Sequence, residues 1–133
     1  MKKFVLMAAV AFIAIVGVEK VMAVDFRDWG KLSKQDRVML VSGEVDMFAR
    51  IKFIGDDEDQ QKYRELQQRL NGAFKNGVLT YDSIVDYVNV IYANKKYQNI
   101  PLTQLIMYAP FYATGVNTKS LPSFYRMLDA YKP

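Results

Sequence analysis

Residues 80–92, TYDSIVDYVNVIY, decide how the chain is read. Their β-branched and aromatic side chains would suit a strand. The spacing says otherwise. Ile84, Val88 and Ile91 recur every three or four residues, with Val85, Tyr87 and Tyr92 beside them, which is one face of a helix. Thr80 stands where a cap belongs. Upstream, Asn76-Gly77 is a helix stop, and Tyr63, Leu66, Leu70 and Phe74 mark the buried face of the helix it ends. Asp56-Asp57-Glu58-Asp59 opens that helix. Earlier still, Ser33 reads as an N-cap with acidic Asp36 at the third helical position. Val38, Val41, Val45 and Phe48 then form the face of a helix expected to run to about Phe53 and to end at Gly55. Trp29 precedes it and is expected to fold back across its start as a hydrophobic clasp.

Downstream, Asn99-Ile100-Pro101 marks a turn, and Pro101 suits the first turn of a helix carrying Leu102, Leu105, Ile106 and Ala109. Pro110 lacks an amide donor and its ring clashes with the preceding turn, so it is expected to kink or end that helix. Gly115 to Lys119 then reads as loop. Ser120 and Pro122 start a last short helix through Phe124, Met127, Leu128 and Tyr131. No repeat, low-complexity stretch or long linker interrupts the chain. The expectation is a single all-α bundle of four or five helices over residues 24–133.

Residues 1–23 read differently. Lys2-Lys3 is followed by an apolar run from Phe4 to Val18, and Val21 and Ala23 occupy the small-residue positions of a cleavage site. This is the pattern of a secretory signal peptide, with Val24 as the first mature residue. The apolar run is shorter than the ~20 residues a spanning helix needs. A retained anchor is the alternative, because Glu19-Lys20 makes the cleavage region polar. The expected location is periplasmic or secreted, with membrane contact only through an uncleaved signal segment.

The 133 residues include 18 basic and 14 acidic side chains but no cysteine and no histidine. Disulfides, zinc–thiolate sites, iron–sulfur clusters and thiol nucleophiles are therefore excluded. The usual metal ligand and neutral-pH general base is also missing. Without Lys2, Lys3, Glu19 and Lys20 the net charge falls from +4 to +2, too little for a nucleic-acid interface. Residues 94–133 are nonetheless basic, with five cations against Asp129 alone. The acid run at 56–59 lacks the spacing of a calcium loop and suits the positive end of a helix. Asp82 and Asp86 read as a solvated helix face, and no serine sits in a nucleophile elbow. No catalytic residue, metal ligand or cofactor is expected, and the protein reads as a non-enzyme.

Nine tyrosines and eight phenylalanines are more informative. Tyrosine gives large contact area at low entropic cost, so it recurs at protein interfaces. Tyr97 lies in the clearest turn beside Lys95 and Lys96, and Tyr112 lies just past Pro110. These four are the candidate partner-binding residues, and Tyr97→Ala and Tyr112→Ala are expected to leave folding nearly intact. Gly43 costs about 1 kcal/mol relative to alanine inside a helix, which close packing of another helix would explain. Asp46, one turn later, can cap or pair nearby.

Three pieces of sequence, in order, resemble the Tai-type family of immunity proteins against type VI secretion amidase effectors. They are Trp29-x-x-Leu32-Ser33 with Val38 and Val41-Ser42-Gly43-Glu44-Val45-Asp46; Leu79-Thr80 with Ile84-Val85 and Val88; and Asn99-Ile100-Pro101-Leu102 with Leu105-Ile106 and Ala109. The resemblance spans roughly residues 29–109. The chain departs from the family in having no cysteine, and in Leu40, where an aromatic is common. The resemblance implies an exported all-α domain that binds and blocks another protein. The expected function is thus immunity-type inhibition by occlusion of a partner. The alternative is a periplasmic carrier or chaperone-like protein holding an apolar ligand or peptide between helices.

Overall fold

The computed structural model describes residues 24–52 and 58–131. The signal segment, the Gly55 stop and the first two acids of the 56–59 run lie outside the described residues. The described chain forms six α-helices and one 3-10 turn, with no strand among the described residues. They are α1 (Phe26–Gly30), α2 (Lys34–Arg50), α3 (Glu58–Lys75), α4 (Tyr81–Tyr92), the 3-10 turn (Lys95–Tyr97), α5 (Leu102–Thr118) and α6 (Leu121–Asp129). The all-α bundle anticipated from the periodicity is present, with α1 as an added short helix.

Local chemistry starts most of these elements. The Asp25 carboxylate accepts from the Arg27 and Asp28 amides, and Asp28 reaches back to the Asp25 amide. Ser33 caps α2 by accepting from the Asp36 amide at 3.1 Å. Thr80 and Ser83 exchange bonds as a capping box on α4. Such caps satisfy amides that a helix start leaves without partners. Gly77 ends α3 with φ +71, a left-handed conformation that costs glycine nothing. The end of α2, at Arg50, is closed from another element: the Gln67 amide of α3 donates to the Phe48 and Ile51 carbonyls.

The core runs through α4, whose Ile84, Val85, Tyr87, Val88, Ile91 and Tyr92 are all buried. Helix α2 packs chiefly on α4, and α5 lies against α3, α4 and α6. Leu40, Val41, Val45 and Phe48 bury one side of α2, and Leu66 and Leu70 bury one side of α3. Tyr63 and Phe74 stand at the edges of that α3 face, Tyr63 exposed and Phe74 half-buried.

One expectation is corrected in α5 and another is narrowed. Residues 115–118, read as loop, are helical, and of the kink or end expected at Pro110 the end is excluded, because the helix continues to Thr118. Proline leaves the Ile106 carbonyl without its usual amide donor. Pro110 is buried, as are Leu105, Ile106 and Ala109 before it, and this apolar burial offsets the missing bond and carries the helix through. Gly115 then meets α6: a Cβ there would lie 3.3 Å from Leu121 Cδ2 and 3.4 Å from its Cα. That close approach explains a glycine at the end of α5.

Candidate partner-binding groove

Where α4 ends, the chain turns through Asn94 into the 3-10 segment, and α6 returns alongside it. Asn94 shapes the turn by accepting from the Lys96 amide at 3.0 Å. Val90, Ile91, Ala93, Asn94, Lys95, Tyr97 and Tyr125 enclose an open-sided groove of about 580 Å³. Ile91 and Tyr97 form buried floor, whereas Val90 is 50% exposed on the rim. Its lining therefore combines apolar and aromatic side chains with the Asn94 amide and the Lys95 ammonium.

Tyr97 is not the solvated turn residue the sequence suggested. It is 5% exposed, its ring stacks on Tyr125 with centroids 5.9 Å apart, and its hydroxyl donates to Asp129 at 2.8 Å. Lys96 binds the same Asp129 oxygen at 2.7 Å. Hydrogen bonds from Lys96 and Tyr97 hold the Asp129 carboxyl below its ordinary value. Burial, with the bond to Asp129 adding to it, pushes the Tyr97 hydroxyl up to about 12. Lys95 is exposed, lines the groove and has no ion-pair partner among the described residues.

Tyr112 is likewise not beside a break. It lies within α5, half-buried, with its ring 4.8 Å from Tyr87 and 5.3 Å from Phe124. Phe124 meets Tyr125 at 5.4 Å, so an aromatic chain links Tyr112 to the groove floor without placing it in the groove. The tyrosine cluster thus serves packing first. Tyr87 and Tyr92 are buried, and their hydroxyls donate to the Leu105 and Ile100 carbonyls, each at 2.7 Å.

The remaining candidates sit elsewhere. Trp29 is buried across the start of α2, and its indole donates to Asn89 at 2.8 Å. Arg37 lies over the Trp29 ring at 5.1 Å and donates to the Trp29 carbonyl and to Asn89. Gly43 is half-buried in mid-α2, and Asp46 is exposed. Burial, with the Asp46 charge nearby, raises the Tyr81 hydroxyl above its ordinary value. Asp82 and Asp86 are exposed on α4, and no group of three or more metal-ligating side chains occurs among the described residues.

Glu44 was missed as a feature. It is the buried charged residue among the described residues, 8% exposed, and its Oε2 has no hydrogen-bond partner among them. Burial alone raises its carboxyl from 4.5 to about 7. The signal was present, because Glu44 falls three residues after Val41 and four before Phe48, on the apolar stripe itself. No family model matches the chain, and no curated protein or solved structure is similar enough to mark a relative.

Proposed function

We propose that this protein is an exported, immunity-type binding domain that acts by covering the active cleft of another protein. The observation that carries the reading is the groove beside the 3-10 turn: half-exposed Val90, partly exposed Tyr125 over buried Tyr97, and the exposed Lys95 ammonium, which has no ion-pair partner among the described residues. Aromatic anchors with a polar rim are what a protein interface needs. The open side suits a macromolecular partner better than a carrier's cargo, since small-ligand sites enclose most of the ligand surface. The Tai-type resemblance supports the blocking role, and the pattern of residues 1–23 supports export.

The test is affinity capture from an envelope extract with the wild-type chain and with Val90→Glu. Val90 is half exposed and glutamate is a good helix former, so the variant is expected to fold. Wild type should retain a folded protein that Val90→Glu releases. A lipid or a free peptide in place of a folded protein would overturn the reading in favour of the carrier.

A further inference from the structure

The groove's charge points to what occupies it. Asp129 is the only acidic residue from residue 94 onward, and both Lys96 and Tyr97 bind it. It is therefore engaged, and the neighbouring Lys95 ammonium in the groove lining has no ion-pair partner among the described residues. Lys119 and Arg126 add positive charge to the same C-terminal part of the chain. Half-exposed Val90 and partly exposed Tyr125, over the buried Ile91 and Tyr97, leave an apolar surface for one large side chain. We infer that the groove docks an acidic segment of a partner protein, with an aliphatic or aromatic side chain against Tyr125 and Val90 and a nearby carboxylate on Lys95.

This inference rests on the protein-binding reading and narrows it. A single carboxylate on Lys95 would steer the encounter and set the register, while the apolar contact supplies the holding area. Polyanions are poorer occupants, because they need a stripe of cations and the groove itself presents only Lys95.

Selection of a random dodecapeptide display library on the full chain tests the inference. The selected peptides should pair an aspartate or glutamate with an aromatic or aliphatic residue close by. Lys95→Glu should weaken the best peptide by about tenfold or more, through a lost charge pair and a new repulsion, while Lys95→Arg should retain it. Lys95 is exposed, so thermal melting of both variants should match wild type. Selected peptides without acids, equal binding by Lys95→Glu, or equally good competition by an oligothymidylate would each overturn the acidic occupant. If a folded protein is still captured and released by Val90→Glu, protein binding survives that outcome. If the library selects nothing and no protein is captured, both readings fall.

Discussion

Glu44 places a carboxyl in an apolar face with one oxygen unpaired among the described residues, so its charge state is coupled to folding. Its folded value is about 7 against 4.5 when exposed, which means the native state holds the proton more tightly. The stability is therefore whole below pH 4.5 and is lost as pH rises through about 7. A shift of that size corresponds to at most about 3 kcal/mol. Glu44→Gln should leave stability nearly unchanged near about pH 4 and raise it by up to that amount near about pH 9, read by urea unfolding at both. Parallel pH profiles for the two proteins would show that the carboxyl is solvated. Tyr97 is a packing residue as well. Because its ring is buried against Tyr125 and its hydroxyl binds Asp129, Tyr97→Ala should destabilise by about 3–5 kcal/mol. A melting temperature unchanged from wild type would contradict that packing.

Helix α5 is where local rules and tertiary packing conflict. Its interior proline forfeits a backbone bond, yet burial of Leu105, Ile106, Ala109 and Pro110 keeps it helical to Thr118. Its end is less comfortable. Lys119 adopts φ 58, ψ 30, a left-handed conformation that costs an L-residue roughly 1–2 kcal/mol. Lys119→Gly should therefore stabilise the fold by up to about 1 kcal/mol, after the added unfolded-chain entropy of glycine is subtracted. The opposite outcome is expected four residues earlier. Gly115→Val would force a branched side chain into Leu121 and should cost about 1–3 kcal/mol by parting α5 from α6. Denaturation midpoints of the two variants should move in opposite directions. If both rise, the α5–α6 turn is looser than its contact distances imply.

The bundle is closed by contacts between its first residues and its middle. Val24 accepts a backbone bond from Leu102, and Trp29 joins α1 and α2 to Asn89 of α4. If export removes residues 1–23, the new terminus at Val24 retains both ties. Intact mass of the exported protein is expected to correspond to residues 24–133, and a mass that begins beyond Val24 would mean the Leu102 bond is dispensable. Trp29→Ala should destabilise by about 3–5 kcal/mol, since it empties a buried site and strands the Asn89–Arg37 pair. The sequence by itself determined the helix faces, the caps at Ser33 and Thr80 and the stop at Gly77. Each of these depends on residues no more than four positions apart, through backbone bonds and periodic burial. Glu44 was equally legible as a charge on an apolar stripe, although not its lack of a partner. Tertiary structure alone decided the fates of Tyr97, Tyr112 and Pro110. Tyr97 does lie in a turn, but Tyr125 and Asp129, about thirty positions later, cover it and make it a packing residue. Pro110 allowed a kink or a helix end, and the surrounding burial outweighed one missing hydrogen bond enough to exclude the end. Burial is set by neighbours that the chain brings in from far along its length, and spacing along the sequence carries no record of them.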